Sequence, residues 1–156
     1  MNTFERRMLE IIQSSSWIQS VARKDKKILG IEYYNYNTQI ENVASQAQGQ
    51  STVQIQSDSD FVMTYLSASV VVTATGAIIN APFAFAQITD TGTGKTFFNQ
   101  QTLVGLAFGN GGNPFFLPAP RVIAPNTNVQ FSVTNNTGAA ASFYFAMMGA
   151  RVYYGG

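Results

Sequence analysis

The feature that most constrains the fold of this chain is a series of short apolar runs, separated by glycine and proline, between residues 28 and 156. The clearest run is Val129-Gln130-Phe131-Ser132-Val133-Thr134, in which apolar and polar side chains alternate. Because successive side chains of a strand point to opposite faces, this alternation predicts a half-buried antiparallel strand. We therefore expect this part of the chain to fold as β-sheet.

Other runs rich in Val, Ile, Phe, Tyr and Thr predict further strands at residues 28–36, 52–56, 61–72, 83–89, 95–99 and 143–154. The last of these runs is nearly apolar on both faces, which predicts a central, buried strand. Pro118, Pro120 and Pro125 bracket a short strand around Val122, and prolines suit a protected sheet edge.

Turn residues separate these runs. Asp90-Thr91-Gly92-Thr93-Gly94 predicts a hairpin connection, the glycine-rich segment Gly109 to Pro114 predicts a loop, and residues 41–50 predict another. About eight short strands with turns between them are typical of two packed sheets. We therefore expect an all-β, antiparallel β-sandwich that is jelly-roll-like.

The first 27 residues have a different pattern. They hold six of the nine basic residues and three of the eight acidic ones, a net charge of +3, whereas residues 28–156 carry a net charge of −2. Phe4, Met8, Ile11 and Ile12 recur at helical spacing, and Trp17 follows a break of three serines. The sequence therefore predicts an N-terminal helical arm, residues 1–27, and a β-sandwich domain, residues 28–156.

The composition favours contact with other proteins. Charged residues make up 11% of the chain, against about 25% in an average soluble domain. Asn, Gln, Ser and Thr total 50 residues and replace the missing charge. A neutral polar surface repels other copies weakly, which suits self-association, although a low-charge secreted β-domain would have a similar composition. We expect no membrane segment, because there is no run of eighteen apolar residues.

The residue inventory argues against enzymatic activity. The chain has no cysteine and no histidine, so a Ser-His-Asp triad cannot form and the usual metal ligands are missing. Gly94-Lys95-Thr96 resembles the end of a phosphate-binding loop, but Thr89 stands where that loop needs glycine and a strand-like run follows. Asp58 and Asp60 are two residues apart, a spacing that permits a calcium or acid–base site, but ordinary turn composition is favoured. We expect no catalytic residue, cofactor, metal or small-molecule ligand.

Two groups of residues are candidates for partner binding. Tyr33, Tyr34 and Tyr36 are too close together for all three to point inward, so an exposed tyrosine strip is expected on a protein interface or a sugar site. The other group lies in the arm and combines apolar anchors with basic residues: Phe4, Arg6, Arg7, Met8, Ile11, Ile12 and Trp17. The basic cluster Arg23 to Lys27 suggests nucleic acid as another partner, but a solvated linker is favoured because +3 is a small charge.

Three stretches resemble small virion proteins of tailed bacteriophages. They are Phe115 to Asn126, the strand Val129 to Thr134, and the closing Gly149-Ala150-Arg151-Val152-Tyr153-Tyr154. The resemblance covers about the last hundred residues. It implies a jelly roll or related sandwich that assembles on a capsid surface or at the head–tail neck, with an N-terminal arm tethering it to neighbours.

The expected function is therefore that of a non-enzymatic structural protein of a bacteriophage virion, of the capsid decoration, cement or neck type. Its expected partners are copies of itself and major capsid or neck proteins. It would be made in the host cytoplasm and located in the virion. The alternative is a carbohydrate- or host-receptor-binding module that uses the tyrosine strip or the segment Gly109 to Pro114.

Overall fold

The computed structural model describes residues 25–110 and 112–155, and these form two antiparallel sheets packed face to face. Sheet 1 contains, in spatial order, β1 (Lys27–Val43), β10 (Ala141–Gly155), β3 (Asp60–Val72), β8 (Asn113–Ile123) and the short β7 (Gly109–Asn110). Sheet 2 contains β2 (Gln48–Gln54), β9 (Asn128–Asn135), β4 (Ala84–Asp90) and β5 (Lys95–Thr96), with β6 (Thr102–Leu103) also paired to β4.

The strand order is that of a jelly roll. The first long strand pairs with the last, β2 pairs with β9, and β3 pairs with β8, all antiparallel. These pairs alternate between the two sheets, which is the arrangement of a hairpin rolled around a common core. The predicted antiparallel, jelly-roll-like sandwich is confirmed, and β10 lies between β1 and β3 as predicted for a central strand.

The first strand begins close to the predicted start of the β-sandwich domain. Residues 1–24 of the predicted helical arm lie outside the described residues. Asp25 and Lys26 form a turn and a bend, and Lys27 already pairs with Gly155 at the start of β1. The strand thus begins one residue before the predicted domain boundary.

The loop predicted at residues 41–50 is wrong in extent. β1 continues to Val43 past a register shift after Ile40, where Asn42 adopts a positive φ of 52°, and β2 starts at Gln48. A tight turn over residues 44–47 connects the two strands. The buried amide of Asn135 holds this turn, because its Nδ2 donates to the carbonyl oxygens of Val43 at 2.8 Å and Ala44 at 3.3 Å.

The strand predicted around Val122 is longer in the structure and includes three prolines. In β8, Arg121 lies opposite Met63, but the next paired residue, Phe116, lies opposite Tyr65. Pro118 and Pro120 fall in the segment between these pairs, where no pairing with β3 requires an N–H group.

A single helical turn, α1 (Val104–Ala107), lies next to β7 and had no signal in the sequence.

The core between the sheets consists of the inward side chains of alternating positions. In β9, Val129, Phe131 and Val133 are completely buried, as their alternation predicts. The Phe131 ring stacks on Phe145 of the opposite sheet with centroids 5.2 Å apart, and the centroid of the Phe108 ring lies 4.9 Å from that of Phe145. Each buried phenylalanine stabilises the sandwich by about 1.5–3 kcal/mol through removal of its surface from water.

Candidate functional site

The three tyrosines of the predicted strip lie on opposite faces of β1. Tyr36 points inward, is 6% exposed, and packs against Phe61 with ring centroids 4.8 Å apart. Its hydroxyl accepts a hydrogen bond from the backbone N–H of Gln56 at 3.1 Å, and burial raises its pKa. Tyr36 is therefore a core residue, which corrects its assignment to partner binding, because period-two alternation turns it away from Tyr33.

Tyr33 has the exposure that the sequence predicts, at 47%, while Tyr34 is half-buried at one end of the sandwich. The other predicted partner-contact residues lie outside the described residues: Phe4, Arg6, Arg7, Met8, Ile11, Ile12 and Trp17. Their proposed role therefore stays a prediction.

A buried arginine organises the end of the sandwich near Tyr34. Arg151 is 7% exposed, and its Nη2 donates to Oδ1 of Asp58 at 2.6 Å while its Nε donates to Oγ of Ser59 at 3.0 Å. Its guanidinium carbon lies 4.8 Å from the centre of the Tyr34 ring, and its Nη1 lies 3.7 Å from Glu32 Oε2. A buried charge needs such partners, since desolvation of an unpaired guanidinium is costly.

This cluster shifts the pKa values of Asp58 and Tyr153. The hydrogen bond from Arg151 lowers the pKa of Asp58, and burial together with a hydrogen bond to Glu32 raises the pKa of Tyr153. The carboxylate of Asp58 is thus engaged with an arginine, and the turn predicted for this segment is confirmed at residues 57–58. In the described part of the chain, no group of three acidic residues is placed to hold a metal ion.

The sequence did not indicate that Arg151 belongs to a site. The available signal was a single arginine inside the apolar run Gly149 to Tyr154, since a charged residue in a buried strand requires a partner. The identity of the partner was not accessible, because Asp58 is 93 positions away.

The face of sheet 1 that points away from the core, here the outer face, has an apolar half near the start of β1. Its members are Tyr33, Val62, Tyr65, Phe116, Val122, Ala150 and Val152, which the strand register places on one side. The hydroxyls of Tyr33 and Tyr65 lie 3.2 Å apart, and the Tyr65 ring is 5.1 Å from that of Phe116. Burial and the Tyr33 hydroxyl raise the pKa of Tyr65 to about 12.

The other half of the outer face contains a polar hollow. It has a volume of about 440 Å³ and a floor of small side chains, with Tyr144 at 39% exposure beside it. The outward side chains around it are the small Ala146 and five that carry amides, hydroxyls and one phenol: Asn37, Gln39, Ser67, Ser69 and Tyr144. No charged side chain of the described residues lines this hollow.

An apolar tip lies at the end of the sandwich opposite Arg151. It is formed by three large apolar side chains that are mostly exposed: Ile78 at 68%, Phe83 at 57% and Leu106 at 68%. Ile78 lines a hollow of about 430 Å³ together with Pro82 and Gly105, the immediate neighbours of Phe83 and Leu106. Large apolar side chains exposed around such a hollow are typical of an interaction surface.

The two glycine-rich segments are tight turns. Oδ1 of Asp90 accepts hydrogen bonds from the N–H groups of Gly92 and Thr93, and Lys95 pairs with Asp90 in the hairpin that the sequence predicts. Strand β5, not a helix, contains Lys95 and Thr96, so the geometry of a phosphate-binding loop is missing here. Asn110 closes the β7–β8 hairpin in a similar way, through Gly112 and Asn113.

Comparison with known proteins gives few matches. No protein-family model and no curated protein sequence is similar to the chain. The infectious bursal disease virus VP2 subviral particle is similar with a TM-score of 0.37 and 14% sequence identity, over 81% of this chain and 34% of the VP2 chain. The chain thus spans about a third of the length of VP2.

A second solved structure is a carbohydrate-binding module of Cellvibrio mixtus lichenase 5A in complex with cellotriose. It has a TM-score of 0.25 and 10% identity, over 83% of this chain and 91% of the module. Among the described residues, no helix is long and apolar enough to cross a membrane.

Proposed function

We propose that this chain is a non-enzymatic structural protein of a bacteriophage virion that self-associates and docks on the capsid surface or at the head–tail neck. The observation that carries the self-association is the apolar tip. Ile78, Phe83 and Leu106 expose more than half of their surface each, in a chain with only 11% charged residues. Burial of each side chain against another subunit contributes about 1.5–3 kcal/mol before ordering costs.

The lack of enzymatic activity is supported by the chemistry of the described residues. The chain has no histidine or cysteine, and Asp58 is held by Arg151 while Glu32 accepts a hydrogen bond from Tyr153 at 2.8 Å. The two hollows described above, on the outer face and beside Ile78, are lined by amides, hydroxyls and apolar groups. Such groups bind neutral partners but are poor proton carriers at neutral pH.

The virion assignment is supported by the resemblance of the last hundred residues to small phage virion proteins. It is tested by mass spectrometry of particles from the virus that encodes the chain, which should contain it in a fixed number of copies. In Leu106→Glu we expect the copy number to fall, because a charge at the apolar tip must be desolvated on docking. Thr52→Glu, at an exposed site on sheet 2, is the matched control and should leave the number unchanged. Particles free of the wild-type chain would contradict the proposal.

The predicted arm provides a separate test of docking. Removal of residues 1–27 should leave a folded β-sandwich that no longer enters particles, if these residues attach the protein to its neighbours. Normal incorporation of the shortened chain would contradict an attachment role for the arm.

A carbohydrate-binding module is the second candidate, and the polar hollow favours it. Tyr144 is available for stacking on a sugar ring, and Asn37 and Gln39 present amides beside it. The hollow lies away from Tyr33, but at Ser69 it adjoins the hollow that Gly109, Asn110 and Gly112 line, in the segment where the sequence predicts this function. A glycan array on the purified chain and its Tyr144→Ala variant tests it. Binding that is lost in the variant would support this candidate, and no binding to any glycan would contradict it.

A further inference from the structure

Strand β2 forms an open edge of sheet 2. It pairs with β9 along all of its seven residues, and no strand in the described part of the chain pairs with its other side. Just beyond β2, the N–H of Ile55 donates to the carbonyl oxygen of Thr127 at 2.9 Å. Because hydrogen-bonded pairs alternate along an antiparallel ladder, the odd-numbered residues of β2 bond to β9. The backbone N–H and C=O groups of the even-numbered residues therefore point to the open edge: Gln48, Gln50, Thr52 and Gln54.

The other sheet edges carry the features by which proteins prevent strand pairing. At one edge of sheet 1, β8 contains Pro118 and Pro120 and is followed by the short β7. At the other, β1 has register shifts near both ends and contains Lys27, Glu32 and Glu41. At the far edge of sheet 2, β5 and β6 pair with β4. In contrast, β2 has no charged residue and no proline, and its pairing with β9 is uninterrupted.

The inward side of β2 is held firmly against β1. The hydroxyl oxygens of Ser51 and Thr38 lie 2.7 Å apart. At Gly49 the two strands approach so closely that a Cβ would lie 2.6 Å from Cγ2 of Ile40. The open edge is thus already fixed in strand geometry, and an added strand needs little further ordering of β2.

A second copy of β2 is complementary to this edge. In an antiparallel pair centred on Ser51, Gln50 lies opposite Thr52 of the other copy, and Gln48 lies opposite Gln54 of the other copy. These are the positions whose backbone groups point to the open edge. Their side chains are exposed and neutral and carry hydrogen-bonding groups, so no like charges meet across the pair.

We infer that β2 pairs antiparallel with β2 of a second copy of this chain, so that the two copies of sheet 2 form one continuous sheet. This contact is separate from the apolar tip and does not rest on the proposed function. A single pair of seven-residue strands buries less than the roughly 1,600 Å² of a standard stable interface. The edge alone therefore gives only weak association in dilute solution and adds to contacts that copies make elsewhere.

Disulfide trapping in the full-length chain tests the pairing and its register, because the chain has no cysteine. Hydrogen-bonded antiparallel partners have Cα atoms about 5.5 Å apart, a separation that a disulfide spans. Gln50→Cys protein is mixed with Thr52→Cys protein at high concentration and oxidised, and linked peptides are identified by mass spectrometry. We expect the mixed disulfide to form in several-fold excess over either homodimer. Gln48→Cys with Gln54→Cys should behave in the same way.

The matched control is Gln48→Cys with Thr52→Cys. These positions are offset by two residues in the inferred register, roughly 7 Å along the strand, and should form little disulfide. Equal yields from the matched and offset combinations would overturn the inference, because random collision would then explain the trapping.

Gln50→Pro tests whether the backbone edge makes the contact. Proline at this position removes an N–H that points to the open edge and leaves the bonds to β9 in place. It should abolish trapping between Gln48→Cys and Gln54→Cys, whereas Thr52→Glu should preserve it, because an outward side chain stays in water when the strands pair. Undiminished trapping in Gln50→Pro would overturn the inference and leave self-association through the apolar tip intact. The register comparison needs no proline variant and decides the question if Gln50→Pro does not fold.

Discussion

The guanidinium of Arg151 in the last strand lies 2.6 Å from the carboxylate of Asp58, although the two residues are 93 positions apart. The contact ties the end of β10 to the turn before β3. Arg151 is 7% exposed, whereas the side chain of Asp58 is 57% exposed. Loss of Asp58 therefore leaves the charge of Arg151 buried without this partner. Loss of Arg151 leaves the charge of Asp58 in water.

We predict that Asp58→Asn lowers the free energy of unfolding more than Arg151→Met does. The first change leaves a buried guanidinium with weaker partners, and the second leaves a solvated carboxylate beside an apolar side chain that fills the same space. Urea denaturation at neutral pH measures both values. Equal losses, or a larger loss in Arg151→Met, would contradict this account.

The Asp58–Arg151 pair also predicts that the free energy of unfolding depends on pH in the acidic range. Because the pKa of Asp58 is lowered in the folded chain, its contribution to stability is fully present above its ordinary pKa of 3.8 and is lost as pH falls through the lower folded-state value. The stability difference between wild type and Asp58→Asn should therefore shrink in that acidic window. Urea denaturation at a series of pH values tests this, and a constant difference would be the contrary result.

The hydrogen bond between the hydroxyls of Tyr33 and Tyr65 predicts a loss of stability at alkaline pH. Burial and the Tyr33 hydroxyl raise the pKa of Tyr65 to about 12, so its contribution to stability is present below its ordinary pKa of 10.0 and is lost as pH rises toward about 12. Tyr33→Phe removes the hydrogen bond and should lower this pKa, although burial keeps it above the ordinary value. Ultraviolet titration of the phenolate, with Tyr65→Phe to assign the signal, measures the change. An unchanged pKa in Tyr33→Phe would contradict the pairing.

Gly149 is predicted to be intolerant of a side chain. A Cβ at this position would overlap the carbonyl oxygen of Val62 on the neighbouring strand, at the register shift between β10 and β3. Gly149→Ala should therefore lower the free energy of unfolding by about 3 kcal/mol. Gly105→Ala is the matched control, because a Cβ there meets no neighbour and alanine favours the helical turn by about 0.5–1 kcal/mol. Thermal unfolding measures the stability of both variants. Equal stability of Gly149→Ala and Gly105→Ala would contradict the close approach of β3 and β10 at Gly149.

The fold was predictable where its signal is local. The alternation of Val129 to Thr134 and the apolar run of β10 depend on neighbouring residues, and both gave the correct strand. The loop at residues 41–50 was predicted too long, because Asn135, a residue distant in sequence, holds the tight turn at residues 44–47. The length of β8 was underestimated because prolines that normally end a strand lie in an unpaired segment.

Less of the candidate site was predictable. Exposure of Tyr33 followed from strand alternation, but the same rule should have assigned Tyr36 to the core with Ile40. The apolar tip had no signal, because Ile78, Phe83 and Leu106 occur in a sequence rich in buried side chains of the same types. Exposure of such residues depends on how the loops at one end of the sandwich meet, and this arrangement is set by the tertiary structure.

Self-association through the apolar tip is tested most directly by the mass of the full-length protein in solution. Sedimentation over a range of concentrations should show a discrete oligomer for wild type and for Thr52→Glu. Leu106→Glu should sediment as a monomer with an unchanged circular dichroism spectrum. A wild-type protein that is monomeric at every concentration, or an oligomer that Leu106→Glu leaves intact, would contradict the central claim.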